Sequence, residues 1–279
     1  MKNSRILVSF VLKFFFALLA FFWLLPLIGV VVNSFRTYTD AACTGWWTAI
    51  RHPEFTLENY AIMLHNSKFL NGLKNSMLIS VPTIFFAMFI CSLTSYVLIL
   101  SGVKYGKLIY AFLCILLIIP AEVTLAPTLV ILKAMHLQNT YPGIWMSHTA
   151  NIVPFGTFLI GSFMIGIPKD LISASKIDGA GLWKTYTHII LPLSLSSVAS
   201  LAIFDFLWVW NDLLRALIII PDPRMQPLTA VLANAAGGYG EHVTVQAAGA
   251  VLLLLPPLLV FLFLQKAFVN GVLAGSVKE

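Results

Sequence analysis

Charge is what this sequence is short of. Only 10% of its 279 residues are Asp, Glu, Lys or Arg, against roughly a quarter in a soluble globular domain, and that shortage excludes an ordinary water-exposed surface. Cysteine is scarce as well: Cys43, Cys91 and Cys114 are odd in number and two of them lie inside apolar runs, so no disulfide framework follows. The six His are dispersed and form no metal-ligand spacing with the cysteines. A nucleotide loop is missing too. Gly102-Val103-Lys104-Tyr105-Gly106-Lys107 has three residues between its glycines and Leu108 after the lysine, where a phosphate loop needs four and then Ser or Thr. Any energy from ATP must therefore arrive through a partner, and no cofactor is expected on this chain. Without clustered His or Cys or paired acids, a membrane-embedded enzyme lacks its convergent catalytic set.

What is present is apolar. Hydrophobic residues make up 59% of the chain, including 21 Phe and 7 Trp, and the mean hydropathy is +0.91. Long unbroken runs argue for an all-α polytopic membrane protein and against the alternating pattern of a β-barrel. They predict six transmembrane helices, at about 14–32, 76–100, 108–132, 144–167, 193–220 and 243–268. That leaves no length for a separate soluble catalytic domain, so residues 1–279 read as one transmembrane domain. The first run is longer than a signal-peptide core and lacks a small-x-small cleavage site, which makes it an anchor. Asp40-Ala41-Ala42-Cys43 only superficially resembles a lipoprotein box, because its aspartate is the wrong chemistry there.

The 17 basic residues are scattered singly, so the net charge of +6 is not a nucleic-acid patch. Ten of them fall in the 58 positions of 1–13, 101–107, 168–191 and 266–279, and seven in the 86 positions of 33–74, 132–146 and 215–243. By the positive-inside rule, this asymmetry places both termini in the cytoplasm. The long segment 33–74, with Trp46-Trp47 and Asn59-Tyr60, is expected along the outer interface.

One loop departs from its surroundings. Residues 168–192, between the fourth and fifth spans, read as two short helices broken at Asp178-Gly179. Pro168 suits a helix start, Leu171, Ala174 and Ile177 fall on one face, and Gly179 suits a left-handed helix stop. Ala180 to Ile190 is expected to resume helically, and Pro192 to open the next span. Such an elbow is either a docking surface for a partner or an amphipathic segment lying on lipid headgroups.

The loop resembles the signature loop of ABC importer permeases, in which Glu-Ala-Ala is followed by three residues, Gly, nine residues, Ile, one residue and Leu-Pro. Here Ser173-Ala174-Ser175, Gly179, Ile189 and Leu191-Pro192 keep every gap, with Asp178-Gly179-Ala180 in the form usual to the family. Ser173 stands where the family has Glu, so the acid that the resemblance implies would pair with a basic residue of the ATPase is here a neutral hydroxyl, while the spacing of the docking loop is kept. Leu57-Glu58-Asn59-Tyr60, Asn75-Ser76, Ile119-Pro120-Ala121-Glu122-Val123, Asn139-Thr140-Tyr141-Pro142-Gly143, Trp210-Asn211-Asp212 and the tail 268–278 resemble the second permease subunit of maltose and α-glucoside importers. The resemblance implies a bacterial inner-membrane subunit with a second permease, two ATP-binding subunits carrying ATP and Mg, a periplasmic or extracellular sugar-binding protein, and a carbohydrate cargo. Ser173, Ala174, Ser175, Asp178, Gly179 and Ala180 would couple to the ATPases. The rival from another class is a stand-alone secondary transporter or channel for a small polar solute, with ion dependence and no partners.

Within the spans, Asp205, Trp208 and Asp212 are spaced for one helical face, and Arg215 lies within reach of Asn211 or Asp212. These residues are expected either to line the translocation path, with Trp208 or Trp210 offering a ring to a pyranose, or to bond helices together. Acids in a span avoid lipid, because exposing a charge there costs at least ~2.5 kcal/mol. Glu122, between Pro120 and Pro127, reads as a gate or vestibule residue rather than a proton site, since no titratable partner is near it in sequence. Gly156, Gly161 and Gly166 recur every five residues, so they suit close packing at several contacts, or flexibility, rather than one smooth seam.

Overall fold

A computed structural model describes residues 2–51, 54–235 and 243–276, with side chains for 9–49, 51, 54–235 and 243–265; the side chains of the tail motif 268–278 lie outside the description. The described chain is helical. α1 (Lys2–Ser34), α2 (Tyr38–Cys43), α3 (Glu58–His65), α4 (Ser67–Ile99), α5 (Gly106–Leu116), α6 (Leu125–Ala134) and α7 (Tyr141–Met164) are followed by α8 (Lys169–Ile177), α9 (Leu182–Thr185), α10 (Leu191–Leu193), α11 (Leu195–Asn211), α12 (Leu214–Ile219), α13 (Leu228–Ala235) and α14 (Val243–Ser276). A π-type turn at Tyr186–Ile190 joins α9 to α10. The only extended pairing among the described residues is a bridge of Arg36 with Phe55.

Local chemistry sets several of these boundaries. Asn66 caps α4, its Oδ1 accepting from Lys68 N at 2.9 Å. Thr140 caps α7, with Oγ1 accepting from Gly143 N at 3.2 Å. Three helices are long and apolar enough to cross a membrane, in α1, α4 and α14, and up to five spans result if each bent pair counts as one. The expected run 108–132 is interrupted: α5 stops at Leu116 and α6 begins at Leu125. Between them the backbone makes tight bonds such as Ile119 N to Leu116 O, because Pro120 has no N–H to continue the ladder. The run 193–220 is likewise broken after Asn211, and α9–α10 meets α11 at a bend of 74°.

Two compact units make up the chain, 1–70 with 232–255 and 71–231 with 256–279. In the first, Arg36 is fully buried. A buried guanidinium needs compensating acceptors, and it has them: Nε donates to Asp40 Oδ2 at 2.7 Å and Nη1 to Asn33 Oδ1 at 3.0 Å, while Nη2 reaches Asp40 O and Thr44 Oγ1. Asn59 Nδ2 donates to Ser34 O at 3.0 Å and Arg36 O at 2.8 Å, and Thr244 Oγ1 donates to Asn59 Oδ1 at 3.0 Å. Asn59 therefore locks the turn that follows α1, with Tyr60 OH 2.6 Å from Ser34 Oγ beside it.

In the second unit a polar clasp ties distant segments. Asn75 Nδ2 donates to Arg224 O and Gln226 O, at 2.9 and 3.0 Å, and its Oδ1 accepts from Tyr141 OH at 2.8 Å. Asn139 Oδ1 accepts from Asp222 N at 3.2 Å. At the exposed end of this clasp, Arg224 hydrogen bonds hold the Asp222 carboxyl below the usual carboxylate range. The core joins α4, α7 and α11 through Ala87, Cys91, Ile152, Ile160, Val198 and Leu201.

Glycine permits that approach. A Cβ on Gly156 would lie 2.5 Å from Cys91 Sγ and 2.9 Å from Leu201 Cδ2, and one on Gly161 2.6 Å from the Tyr110 ring. At Gly166 the nearest atom would be 3.4 Å away, so close packing applies to two of the three spaced glycines. Gly156→Val is expected to cost about 1–3 kcal/mol through overpacking, whereas Gly166→Ala stays near neutral. Thermal unfolding of the detergent-solubilised protein checks this: equal melting temperatures for the two variants would refute the packing argument.

Candidate functional site

The elbow begins where α7 ends and turns 82° into α8. Pro168 precedes α8 with extended backbone, φ −57° and ψ 127°. α8 ends as a Schellman motif: Ala180 N donates to Ser175 O at 2.9 Å, Gly179 N to Lys176 O at 3.1 Å, and Gly179 adopts φ +71°. The helix resumes at Leu182, two residues later than Ala180, because Ala180 and Gly181 are spent on the turn. Pro192 falls inside the three-residue α10, and α11 starts at Leu195.

Ile172 and Ser175 face inward, and Ser175 Oγ pairs with Thr185 Oγ1 at 3.1 Å across the two arms. The opposite face is open. Ser173, Ala174, Asp178 and Gly179 are exposed, Ala180 is half-buried, and Ile177, Leu182 and Trp183 show 86%, 56% and 59% of their surface. Ser173 Oγ donates to Lys169 O at 3.2 Å within its own helix. Leu171, Ala174 and Ile177 share the outer side, so the ridge spaced along the sequence points away from the core.

The elbow is tied to α4 by tyrosines. Tyr186 OH and Ser92 Oγ are 2.7 Å apart, Tyr96 OH donates to Leu182 O at 3.1 Å, and the Tyr96 and Tyr186 rings lie 5.5 Å apart. None of these partners was legible as such, because they are joined by packing over sequence separations of 86 and 94.

A second feature is a cavity of about 590 Å³ at the C-terminal end of α11, walled also by the break between α5 and α6 and by the start of α12. Glu122, Trp208, Asn211 and Asp212 all line it, together with Arg215. Asp205 does not. It is 1% exposed, and its Oδ2 has no hydrogen-bond partner among the described residues. Three residues along a helix turn 300°, so Trp208 sits about 60° round from Asp205, enough to leave it 49% exposed. Trp210 offers no ring to the cavity: it is 1% exposed and stacks on Phe206 at 5.3 Å.

Asp212 leaves the helical face because α11 stops there, with ψ 113°. Its Oδ1 accepts from Arg215 N at 2.9 Å, and its Oδ2 lies 3.3 Å from Arg215 Nε and 3.9 Å from His148 Nδ1. Arg215 Nη1 donates to Ser147 Oγ at 2.6 Å. Asp212 is thus both a wall residue and an inter-helix tie. Ser147 and His148 of α7 were absent from the sequence-based candidates, since nothing in their spacing marks them. Among the described residues no cluster of His, Cys, Asp or Glu is arranged to hold a metal.

Removing one member of a buried pair leaves the other uncompensated. Arg215→Leu is expected to destabilise the protein by about 3–5 kcal/mol, and Asp212→Leu/Arg215→Leu to recover part of that loss. Additive losses in a double-mutant cycle of melting stabilities would show that the two do not interact.

The model of the family described as "Binding-protein-dependent transport system inner membrane component" matches residues 61–273. The osmoprotective compounds uptake permease protein of Synechocystis sp. is 38% identical over 266 residues, covering 94% of this chain and 89% of that protein. The alpha-glucoside transport system permease protein of Rhizobium meliloti is 34% identical, covering 88% and 68%. The arabinooligosaccharides transport system permease protein of Halalkalibacterium halodurans is 29% identical, covering 99% of each. In fold, the chain is similar to a chain in a crystal structure of a bacterial ABC transporter involved in the import of the acidic polysaccharide alginate, with TM-score 0.79 at 19% identity over 96% of this chain and 98% of that one.

Proposed function

We propose, since this chain belongs to the family of binding-protein-dependent transport system inner membrane components, that it is one permease subunit of an ATP-binding-cassette carbohydrate importer. Its cargo in this reading is a disaccharide or α-glucoside. It pairs with a second permease, receives sugar from a periplasmic or extracellular binding protein, and sits on two ATP-binding subunits that hold ATP and Mg. Residues 1–279 act as one transmembrane domain of six spans in the bacterial inner membrane, with both termini cytoplasmic. Two of those spans are broken helices, as suits a path whose irregular backbone lines a cavity.

The observation that carries this reading is the exposed elbow at 168–192. Its apolar outer face of Ile177, Leu182 and Trp183 suits a protein groove, and Gly179 and Gly181 leave open space where a Cβ would stand. Ser173, Ala174, Ser175, Asp178, Gly179 and Ala180 form the coupling segment. With Ser173 bonded inside its own helix, no acid is offered at that point, and docking rests on shape and apolar contact. The tyrosine ties to α4 give a push at the elbow a rigid route inward. Coupling needs the ATPases to favour one permease conformation over the other.

Support for the cargo comes from the relatives named for osmoprotective compounds, α-glucosides and arabinooligosaccharides, and from a cavity within the ~300–1,000 Å³ range of small-molecule sites. Gly179→Asp places a side chain at a left-handed position on the docking face. It is expected to abolish transport-linked ATP hydrolysis in proteoliposomes while the permease still inserts; normal uptake by that variant would overturn the coupling role. Trp208→Ala is expected to change the ranking of maltose, sucrose and trehalose in uptake assays. If assembly falls and the ranking stays, Trp208 holds helices together and does not touch sugar.

A further inference from the structure

The cavity beside α11 carries an unequal set of charges. Glu122, Asp212 and Arg215 are its ionisable wall residues, two acids and one base. Arg215 is not free to receive an anion: its side chain is 6% exposed, its Nε lies 3.3 Å from Asp212 Oδ2, and its Nη1 is bonded to Ser147 Oγ at 2.6 Å. Asp212 spends its charge on the same pair, with 14% of its side chain exposed. Glu122 is different. It is exposed to the cavity and forms no ion pair among the described residues. The break between α5 and α6 places it there, on backbone that Pro120 has freed from the helix. The unbalanced charge of this wall is therefore Glu122.

The geometry points to Glu122 as a charge filter that admits neutral polyhydroxylated solutes to this subunit's half of the path and rejects anionic ones such as uronates and sugar phosphates. The inference rests on the carbohydrate reading and adds the residue that selects within it. A carboxylate accepts hydrogen bonds from sugar hydroxyls, and the half-exposed Trp208 supplies an apolar ring beside it. A carboxylate or phosphate on the cargo would instead meet like charge, with Arg215, the cation among the described wall residues, already engaged; repulsion of the wrong partner is a common source of specificity. The solved importer similar in fold is described as importing an acidic polysaccharide, whereas a relative is named for α-glucosides, so cargo charge is a property on which such transporters differ.

The test uses the assembled complex of this chain with its partner permease and ATP-binding subunits, without the binding protein, so that selectivity there does not contribute. Equilibrium binding is measured for radiolabelled maltose and for a maltose analogue carrying a carboxylate in place of one primary alcohol. Wild type should favour maltose, Glu122→Gln should narrow that preference by about tenfold, equal to ~1.4 kcal/mol, and Glu122→Asp should retain it. Raising the salt concentration should narrow the wild-type preference as well, because the effect is electrostatic; this arm decides the matter if the Gln variant fails to assemble. A preference unchanged by Glu122→Gln, or unchanged by salt, overturns the filter and leaves the carbohydrate reading standing. If wild type binds neither sugar, the filter falls, because its wall then selects among no free sugars, and the carbohydrate reading is decided separately by uptake with the binding protein present.

Discussion

The pairing of Asp212 with Arg215 is the interaction on which the cavity end of the second unit depends. α11 ends at Asn211 and α12 begins at Leu214, and such a break in an apolar setting leaves backbone groups without helical partners. Asp212 resolves part of this by accepting from Arg215 N, while the Arg215 side chain crosses to Ser147 on α7. One acid therefore closes a helix break, neutralises a buried cation and joins two helices. The cavity wall keeps its form because that arrangement has no cheap alternative: freeing either charge would strand the other away from water.

The same constraint, that polar groups removed from water must find fixed partners, explains the rest of the polar inventory. Arg36 with Asp40, Asn33 and Thr44, and Asn75 with two backbone carbonyls and Tyr141, are each saturated by groups from distinct segments. Asp205 is the contrast, buried with one carboxyl oxygen unpartnered among the described residues. Where side chains would intervene, glycine lets helices meet, as at Gly156 against Cys91 and Leu201. The elbow inverts the pattern, since its inner side is bonded and packed while its outer side presents Ile177, Leu182 and Trp183 largely exposed. An apolar surface of this kind at a helical turn is the sort that meets another protein or a membrane.

Much of this was legible in the sequence. The helix stop at Gly179 followed from residue type, since a left-handed cap favours glycine, and it lies where expected. Glu122 stands out by its place between Pro120 and Pro127, Trp208 and Asp212 by helical spacing, and Asn211 by its place before Asp212 and within reach of Arg215; the four share one cavity. Asp205 was chosen by the same spacing and lies buried outside it, because periodicity gives an angle around a helix but not which side of the helix meets a neighbour. Trp210 went the same way, stacked on Phe206 in the interior. The continuous spans drawn through 108–132 and 193–220 proved to be broken helices. Hydropathy counts apolar residues whether or not the backbone between them can hold its hydrogen bonds; Pro120 lacks the N–H for one of them, and the backbone turns extended at Asp212.

By itself, then, the sequence determined the helical class, the apolar runs, the turn at Gly179 and the choice of residues able to carry charge inside them. These are properties of residue type and short spacing, where each local preference acts alone. Tertiary structure decided which charges are spent and which are available. Arg215 and Asp212 cancel across a turn and tie to Ser147 from 68 positions away, leaving Glu122, among the described cavity residues, as the acid without an ion pair. Tyr186 and Tyr96 became the elbow's moorings for a similar reason. Pairing over long separations depends on which helices lie side by side, and no window of sequence contains both partners.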